Sequence, residues 1–125
     1  MLKIGTEAAD GDWDVSIDAN ALEINSNVEV YQLDNKDPES VQSAMDDIAK
    51  NYGNINTIVN AAGFDIPQKF ISDIDIDLWK SVMDADVNGF FNLVKSSLPH
   101  LRASEGSMVF ISSAGLFKYP PGDVL

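Results

Sequence analysis

Apolar positions along the chain follow two alternating rhythms. In "WDVSID", Trp13, Val15 and Ile17 recur at every second position, the spacing that lines one face of a strand. "NVEVYQLD" repeats it with Val28 and Val30, running on to Leu33, so a second strand is predicted to end at Asp34. The rhythm then turns helical through Val41, Ala44, Met45, Ile48 and Ala49. Both ends of that helix are marked. Asp37 suits the N-cap and Pro38 the first helical position, while Gly53 falls where a helix ends in a C′ glycine. "NTIVNAAG" is a short apolar run between Asn and Gly and reads as a buried strand. A long helix is predicted over 76–102, with an apolar stripe of Trp79, Val82, Met83, Val87, Phe90, Phe91, Val94, Leu98 and Leu101. Lys95, His100 and Arg102 gather toward its C-terminal end, where cations complement the helix dipole. "SMVFISS" reads as a fourth strand.

Strands alternating with helices in this way predict βαβ units, right-handed crossovers and a parallel sheet, an α/β fold. Open parallel sheets bind ligands at the carboxyl ends of their strands. The chemistry is therefore sought at four strand exits: Asp18, Asp34, "NAAG" after Val59 and "SSAG" after Ile111.

Composition narrows the partners. The 125 residues suit a single domain, 1–125. At 45% hydrophobic and a mean hydropathy of −0.07, the chain can bury a core. No apolar run approaches the roughly 18 residues of a membrane span, and the first residues, "MLKIGTEAADGDWD", lack the apolar stretch of a signal peptide. No membrane partner is expected. Cysteine is absent, which removes disulfides and thiolate metal sites and fits a cytoplasmic location. The net charge of −12 repels phosphate backbones, so no nucleic-acid partner is expected; solubility is its plain reading. An anionic cofactor would need backbone N–H groups and helix N-termini to offset that field locally. The lone His100, beside Pro99, reads as a surface or capping residue, and "DIDID" as a solvated acidic stretch without converging metal ligands.

Several stretches, in order, give the chain a likeness. "VNAAG", the helical "DVNGFF" with its later "LP", and "MVFISSAG" resemble the central motifs of the short-chain dehydrogenase/reductase family. "QLDNKDPESV" is similar to that family's third-strand exit, and "GDWDVSIDAN" to its second strand, so the resemblance covers residues 11–125. It implies a Rossmann-like doubly wound parallel sheet and reversible hydride transfer between NAD(P) and a small alcohol or carbonyl substrate. It also implies residue roles. Ser113 would hydrogen-bond the substrate oxygen, with Ser112 the weaker candidate. Asn88 would hold a water of the proton relay through its backbone carbonyl. Asn60, Ala61, Ala62 and Gly63 would pass close under the adenosine ribose; Ala61 stands where a second Asn is usual. Asp34 would accept from the adenine amino group, and Asp18 from the ribose 2′-hydroxyl. A carboxylate at Asp18 repels a 2′-phosphate, which favours NAD over NADP. The long helix 76–102 would also form a homo-oligomer interface.

The departures are as informative. The family's glycine-rich turn after its first strand has no match, since Gly5 stands alone. The family's Tyr-x-x-x-Lys has none either: Tyr119 is followed by Pro120 and Pro121, with Asp123 where the Lys belongs. The expectation is an incomplete sheet of about four strands, lacking the first and the C-terminal ones, in a truncated chain that is inactive and poorly stable alone. The plainer readings stay open beside these. Ser112 and Ser113 also suit a strand ending in a turn, Asn88 a solvated position opposite the apolar stripe, and Asp18 and Asp34 are marked only by their place at strand ends. A non-catalytic Rossmann-like association module is the alternative function. The loop after Gly63, "FDIPQKF", names no substrate.

Overall fold

The computed structural model of the chain describes residues 3–5, 29–63, 69–113, 115 and 117. The predicted strand "WDVSID" and the candidate Asp18 lie outside them. Strand β1 (Lys3–Gly5) pairs in parallel with β2 (Val30–Gln32). Helix α1 (Pro38–Tyr52) follows, then β3 (Thr57–Asn60). After a 3-10 turn (Ile71–Asp73) come α2 (Ile76–Val82), a π-helical segment (Met83–Asn88), α3 (Gly89–Ser104) and β4 (Ser107–Phe110).

The parallel α/β character expected from the pattern is present. β3 and β4 pair in parallel with Thr57 opposite Ser107 and Asn60 opposite Phe110. Two further bonds extend that ladder beyond the strands, Ser107 N–H to the Asn56 carbonyl and Ile111 N–H to the Asn60 carbonyl, both 2.9 Å. The second sets the two strand exits side by side. Among the described residues the strands form two separate two-stranded sheets, β1–β2 and β3–β4. β1 was not anticipated: a three-residue strand in "MLKIG" is too short to carry a periodic signal.

α1 matches its sequence signals closely. Asp37 Oδ1 accepts from the Glu39 N–H at 3.0 Å, Pro38 opens the helix, and Gly53 closes it with a φ of 84° and its N–H on the Ala49 carbonyl. Val41, Ala44, Met45 and Ile48 are buried, and join Leu33, Ile55, Ile58, Leu93 and Leu101 in one core. β3 is only half the buried strand expected, with Ile58 inside and Val59 exposed.

The long helix departs more. Helix does begin at Ile76, capped by the Asp75 carboxylate, which accepts from the N–H groups of Asp77 and Leu78. Those two bonds hold the Asp75 carboxyl below its usual pKa, the Leu78 bond most strongly. But Trp79, Val87, Phe90, Phe91 and Leu98 of the predicted stripe are exposed. α3 buries Gly89, Asn92, Leu93, Ser96, Ser97 and Leu101 instead. Small and polar residues bring α3 close to α1 and to the turn after β2, and hydropathy does not register them. Ser97 is satisfied within the helix, its Oγ donating to the Leu93 carbonyl at 2.6 Å. No described helix is long and apolar enough to cross a membrane.

Candidate functional site

The turn after β2 and the exits of β3 and β4 open into one cleft of about 830 Å³. Asp34, Asn35 and Lys36 form one wall. Asn60, Ala61, Ala62 and Gly63 form a second, and Ile111, Ser112 and Ser113 continue from β4. The helix contributes Ala85, Asp86 and Phe90. Phe90 meets Phe110 edge to face, ring centroids 4.5 Å apart, which joins helix and strand wall.

Each wall has a local reason for its shape. Asp34 follows the buried Leu33, and its own N–H donates to Ser40 Oγ at 3.2 Å. Its carboxylate Oδ1 accepts from the Lys36 N–H at 2.9 Å, and Lys36 Nζ lies 3.9 Å from Oδ2. That ion pair is solvent-washed and contributes little energy, though it puts the wall's cation beside its anion. Asn60 Oδ1 accepts from the Ala62 N–H at 3.2 Å, a side-chain turn that bends the chain sharply away from β3. Ala61, Ala62 and Gly63 then present small exposed surfaces to the cleft. Ser113 Oγ accepts from the Gly115 N–H at 3.1 Å, so the turn-forming reading of this serine is realised. That bond occupies a lone pair; a hydroxyl still has its proton to donate to a second partner.

Six of the eight sequence candidates therefore share the cleft: Asp34, Asn60, Ala61, Ala62, Gly63 and Ser113. Asp18 lies outside the described residues. Asn88 does not line the cleft; it is exposed and its amide donates to Asp84 Oδ1 at 2.6 Å. It ends the π-helical segment, after which the Gly89 N–H reaches back five residues to the Asp84 carbonyl. The residue that helix does bring to the cleft is Asp86, which sequence reasoning passed over. Its spacing held a signal, since Asp86 and Phe90 are four apart and share a helix face. Asn35 and Lys36 were missed as well; polar turn residues with no motif attached carry no sequence mark.

Chemically, the cleft lining combines a carboxylate acceptor, a run of small residues and a hydroxyl donor. A nucleoside with an amino-bearing base and a ribose would fit that donor set. Among the described residues nothing supplies a glycine-rich turn for a pyrophosphate, nor a cluster of three or more His, Cys, Asp or Glu side chains able to hold a metal ion.

The chain is similar to known proteins in sequence and in fold. Sulfoacetaldehyde reductase 2 of Chromohalobacter salexigens is 30% identical over 109 residues, covering 83% of this chain and 43% of that protein. Trans-4-hydroxycyclohexanecarboxylate dehydrogenase of Sinomonas cyclohexanicum is 34% identical over 85 residues, 67% of this chain and 32% of the relative. Among solved structures, a short-chain type dehydrogenase/reductase from Mycobacterium ulcerans superposes with a TM-score of 0.81 at 20% identity, over 98% of this chain and 45% of its own. ElxO, solved with NADP bound, gives 0.76 at 22% identity, over 88% and 46%. The chain thus spans less than half the length of these proteins. The family model described as short chain dehydrogenase matches residues 12–123, nearly the whole chain: the chain belongs to the short-chain dehydrogenase/reductase family.

Proposed function

We propose that the protein of which these 125 residues form part or all is an NAD(P)-dependent oxidoreductase that transfers hydride between the nicotinamide and a small alcohol or carbonyl compound. The observation that carries this reading is the convergence of Asp34, Asn60–Gly63 and Ser113 on one cleft at the strand exits. Asp34 receives the adenine amino group, and the Asn60–Gly63 passage receives the ribose. Ser113 donates its hydroxyl proton toward the substrate oxygen, where negative charge builds as hydride moves; a fixed donor there lowers the barrier. The bound nicotinamide supplies or accepts the hydride. Asn88 acts through its backbone carbonyl on a relay water, a role that its side-chain bond to Asp84 leaves unchanged. Asp18, by repelling a 2′-phosphate, favours NAD over NADP.

None of the three tyrosines, Tyr31, Tyr52 and Tyr119, is followed four positions later by a lysine. These residues therefore supply the cofactor-facing and serine parts of the site without its general acid, and the chain by itself is inactive in this reading. The test is a hydride-transfer assay on the complete protein encoded by the reading frame, with NAD and NADP against a panel of alcohols, aldehydes and ketones. Turnover with NAD preferred is expected. A complete protein that neither turns over nor binds either cofactor would overturn the proposal.

One observation favours a second reading, an association module. Val87, Phe91 and Leu98 on the helix are exposed apolar side chains, with Phe91 59% exposed. Self-association that persists in a protein unable to bind either cofactor would favour it. Both readings place the protein in the cytoplasm, without a membrane or nucleic-acid partner.

A further inference from the structure

Asn92 is an anomaly on its helix. It is a carboxamide only 9% exposed, on the face where α3 packs into the fold. Burying an amide without partners is costly, so its bonds show what it is for. Its Nδ2 donates to two carbonyls, Asn35 O at 2.8 Å and Lys36 O at 3.4 Å. Both lie 56 or 57 residues away in sequence, in the turn that forms the Asp34 wall of the cleft.

The neighbouring contact agrees. Gly89, one turn earlier on the same buried face, lies so near the turn that an added Cβ would stand 2.9 Å from the Asn35 Cβ. The helix is thus seated directly on this turn, and the amide of Asn92 ties the turn to it. Within the turn the Asp37 N–H bonds the Asp34 carbonyl at 3.1 Å, and the Lys36 N–H bonds the Asp34 carboxylate at 2.9 Å. Fixing the Asn35 carbonyl therefore fixes the peptide plane whose Lys36 N–H holds the Asp34 carboxylate, and fixing the Lys36 carbonyl fixes the plane whose Asp37 N–H bonds the Asp34 backbone carbonyl. The same stretch of helix also contributes Asp86 and Phe90 to the lining of the cleft.

We propose that Asn92 is a positioning residue for the adenine end of the cofactor cleft, acting through the Asn35 and Lys36 carbonyls to hold the Asp34 carboxylate in place. This rests on the oxidoreductase reading given above. Asn92 does not touch the cofactor. It removes the conformational freedom the turn would otherwise lose on binding, and pre-organisation of that kind appears as affinity.

The test uses the complete protein and two half-cofactor probes, AMP and nicotinamide mononucleotide. Asn92→Leu keeps the volume and removes the donor; Asn92→Ala removes both. Each is expected to weaken AMP binding about tenfold, the equivalent of one hydrogen bond's net worth, while nicotinamide mononucleotide affinity is unchanged. In turnover, KM for the cofactor should rise about tenfold with kcat changed less than twofold. Ser96→Ala, on the same buried face, controls for general loosening of the helix and should leave AMP affinity at the parent value. If the variants fail to fold, the side-chain amide resonances of Asn92 in the unaltered protein still decide: AMP should shift them. Parent-like AMP affinity in both variants, or unshifted Asn92 resonances, overturns this proposal alone. A parent protein that binds neither probe overturns it together with the oxidoreductase reading.

Discussion

Ser113 both shapes a turn and lines the cleft. Its oxygen accepts from the Gly115 N–H, which fixes the chain beyond β4 and aims the hydroxyl proton elsewhere. Ser113→Ala in the complete protein should then lower kcat by about 10²- to 10³-fold, as expected for losing one donor to a developing oxyanion, with cofactor KM little changed. Ser112→Ala should cost less than about threefold on the same scale. Steady-state kinetics of the two variants side by side would decide, and equal losses would remove the distinction between them. The helix poses a comparable choice. Asn88→Ala spares a role played by a backbone carbonyl, whereas Asp86→Ala deletes a carboxylate that lines the cleft. Asp86→Ala should therefore lower kcat/KM at least about tenfold and Asn88→Ala less than about threefold. The opposite order would shift the helix's contribution from Asp86 to the Asn88 side chain. At this scale the sequence marked residues that line the cleft where a motif names them, as with Asn60 and Ser113. It was silent on Asp86, Asn35 and Asn92, whose relevance depends on which way a helix faces.

Elements were legible in proportion to how much of their boundary chemistry is local. Asp37, Pro38 and Gly53 are adjacent to the helix they delimit, and α1 ends where they place it. The helix from Ile76 was found but its buried face was misjudged. The buried residues of α3 include Gly89, Asn92, Ser96 and Ser97; Gly89 allows close approach to Asn35, and Asn92 hydrogen-bonds the distant Asn35 and Lys36 carbonyls, neither of which hydropathy registers. The π-helical segment Met83–Asn88 adds to this, because its wider turn breaks the 3.6-residue period on which a single stripe was read. The end of α3 offers a direct test. Glu105 adopts a left-handed φ of 53°, and the next residue closes the helix with the Gly106 N–H on the Leu101 carbonyl at 2.8 Å. A side chain in that conformation costs about 1 kcal/mol that glycine does not incur. Glu105→Gly should raise the thermal midpoint by a few degrees. Gly106→Ala should lower it, since its Cβ would stand 2.5 Å from the Asn56 carbonyl, a backbone atom with little room to yield. A second test concerns the far end of α1. The Tyr52 hydroxyl donates to the Glu29 carboxylate, which chiefly pushes its pKa up from 10.0 to about 12. A pKa raised on folding favours the native state fully below the unfolded value of 10.0, and that contribution is lost as pH rises through about 12. Denaturation midpoints should fall over that interval, and Tyr52→Phe should flatten the fall. Identical profiles would mean the Tyr52–Glu29 bond does not persist in solution.

At the scale of the molecule, two features oppose each other. The helix carries exposed apolar side chains at Trp79, Val87, Phe91 and Leu98, and β4 exposes Val109 and Phe110. Exposed apolar side chains of this kind favour association. Against it stands a net charge of −12, which makes any two copies repel. The range of that repulsion depends on salt: the screening length is roughly 30 Å at 0.01 M and about 10 Å at 0.1 M. Apolar burial is not screened. The balance should therefore tip with ionic strength, giving a weight-average mass near the monomer at low salt and rising toward a dimer or higher as salt is added. Phe91→Asp with Leu98→Asp should abolish the rise, by removing apolar area and adding like charge at the same place. Lys95, whose ammonium lies 5.8 Å from the Phe91 ring centre, would be left beside the new carboxylates and should keep the double variant folded by partly offsetting them. Sedimentation equilibrium across salt concentrations measures all of this. A mass that falls with salt would point to contacts made by charge. A rise that survives in the double variant would move the interface off the helix, toward the exposed face of β4.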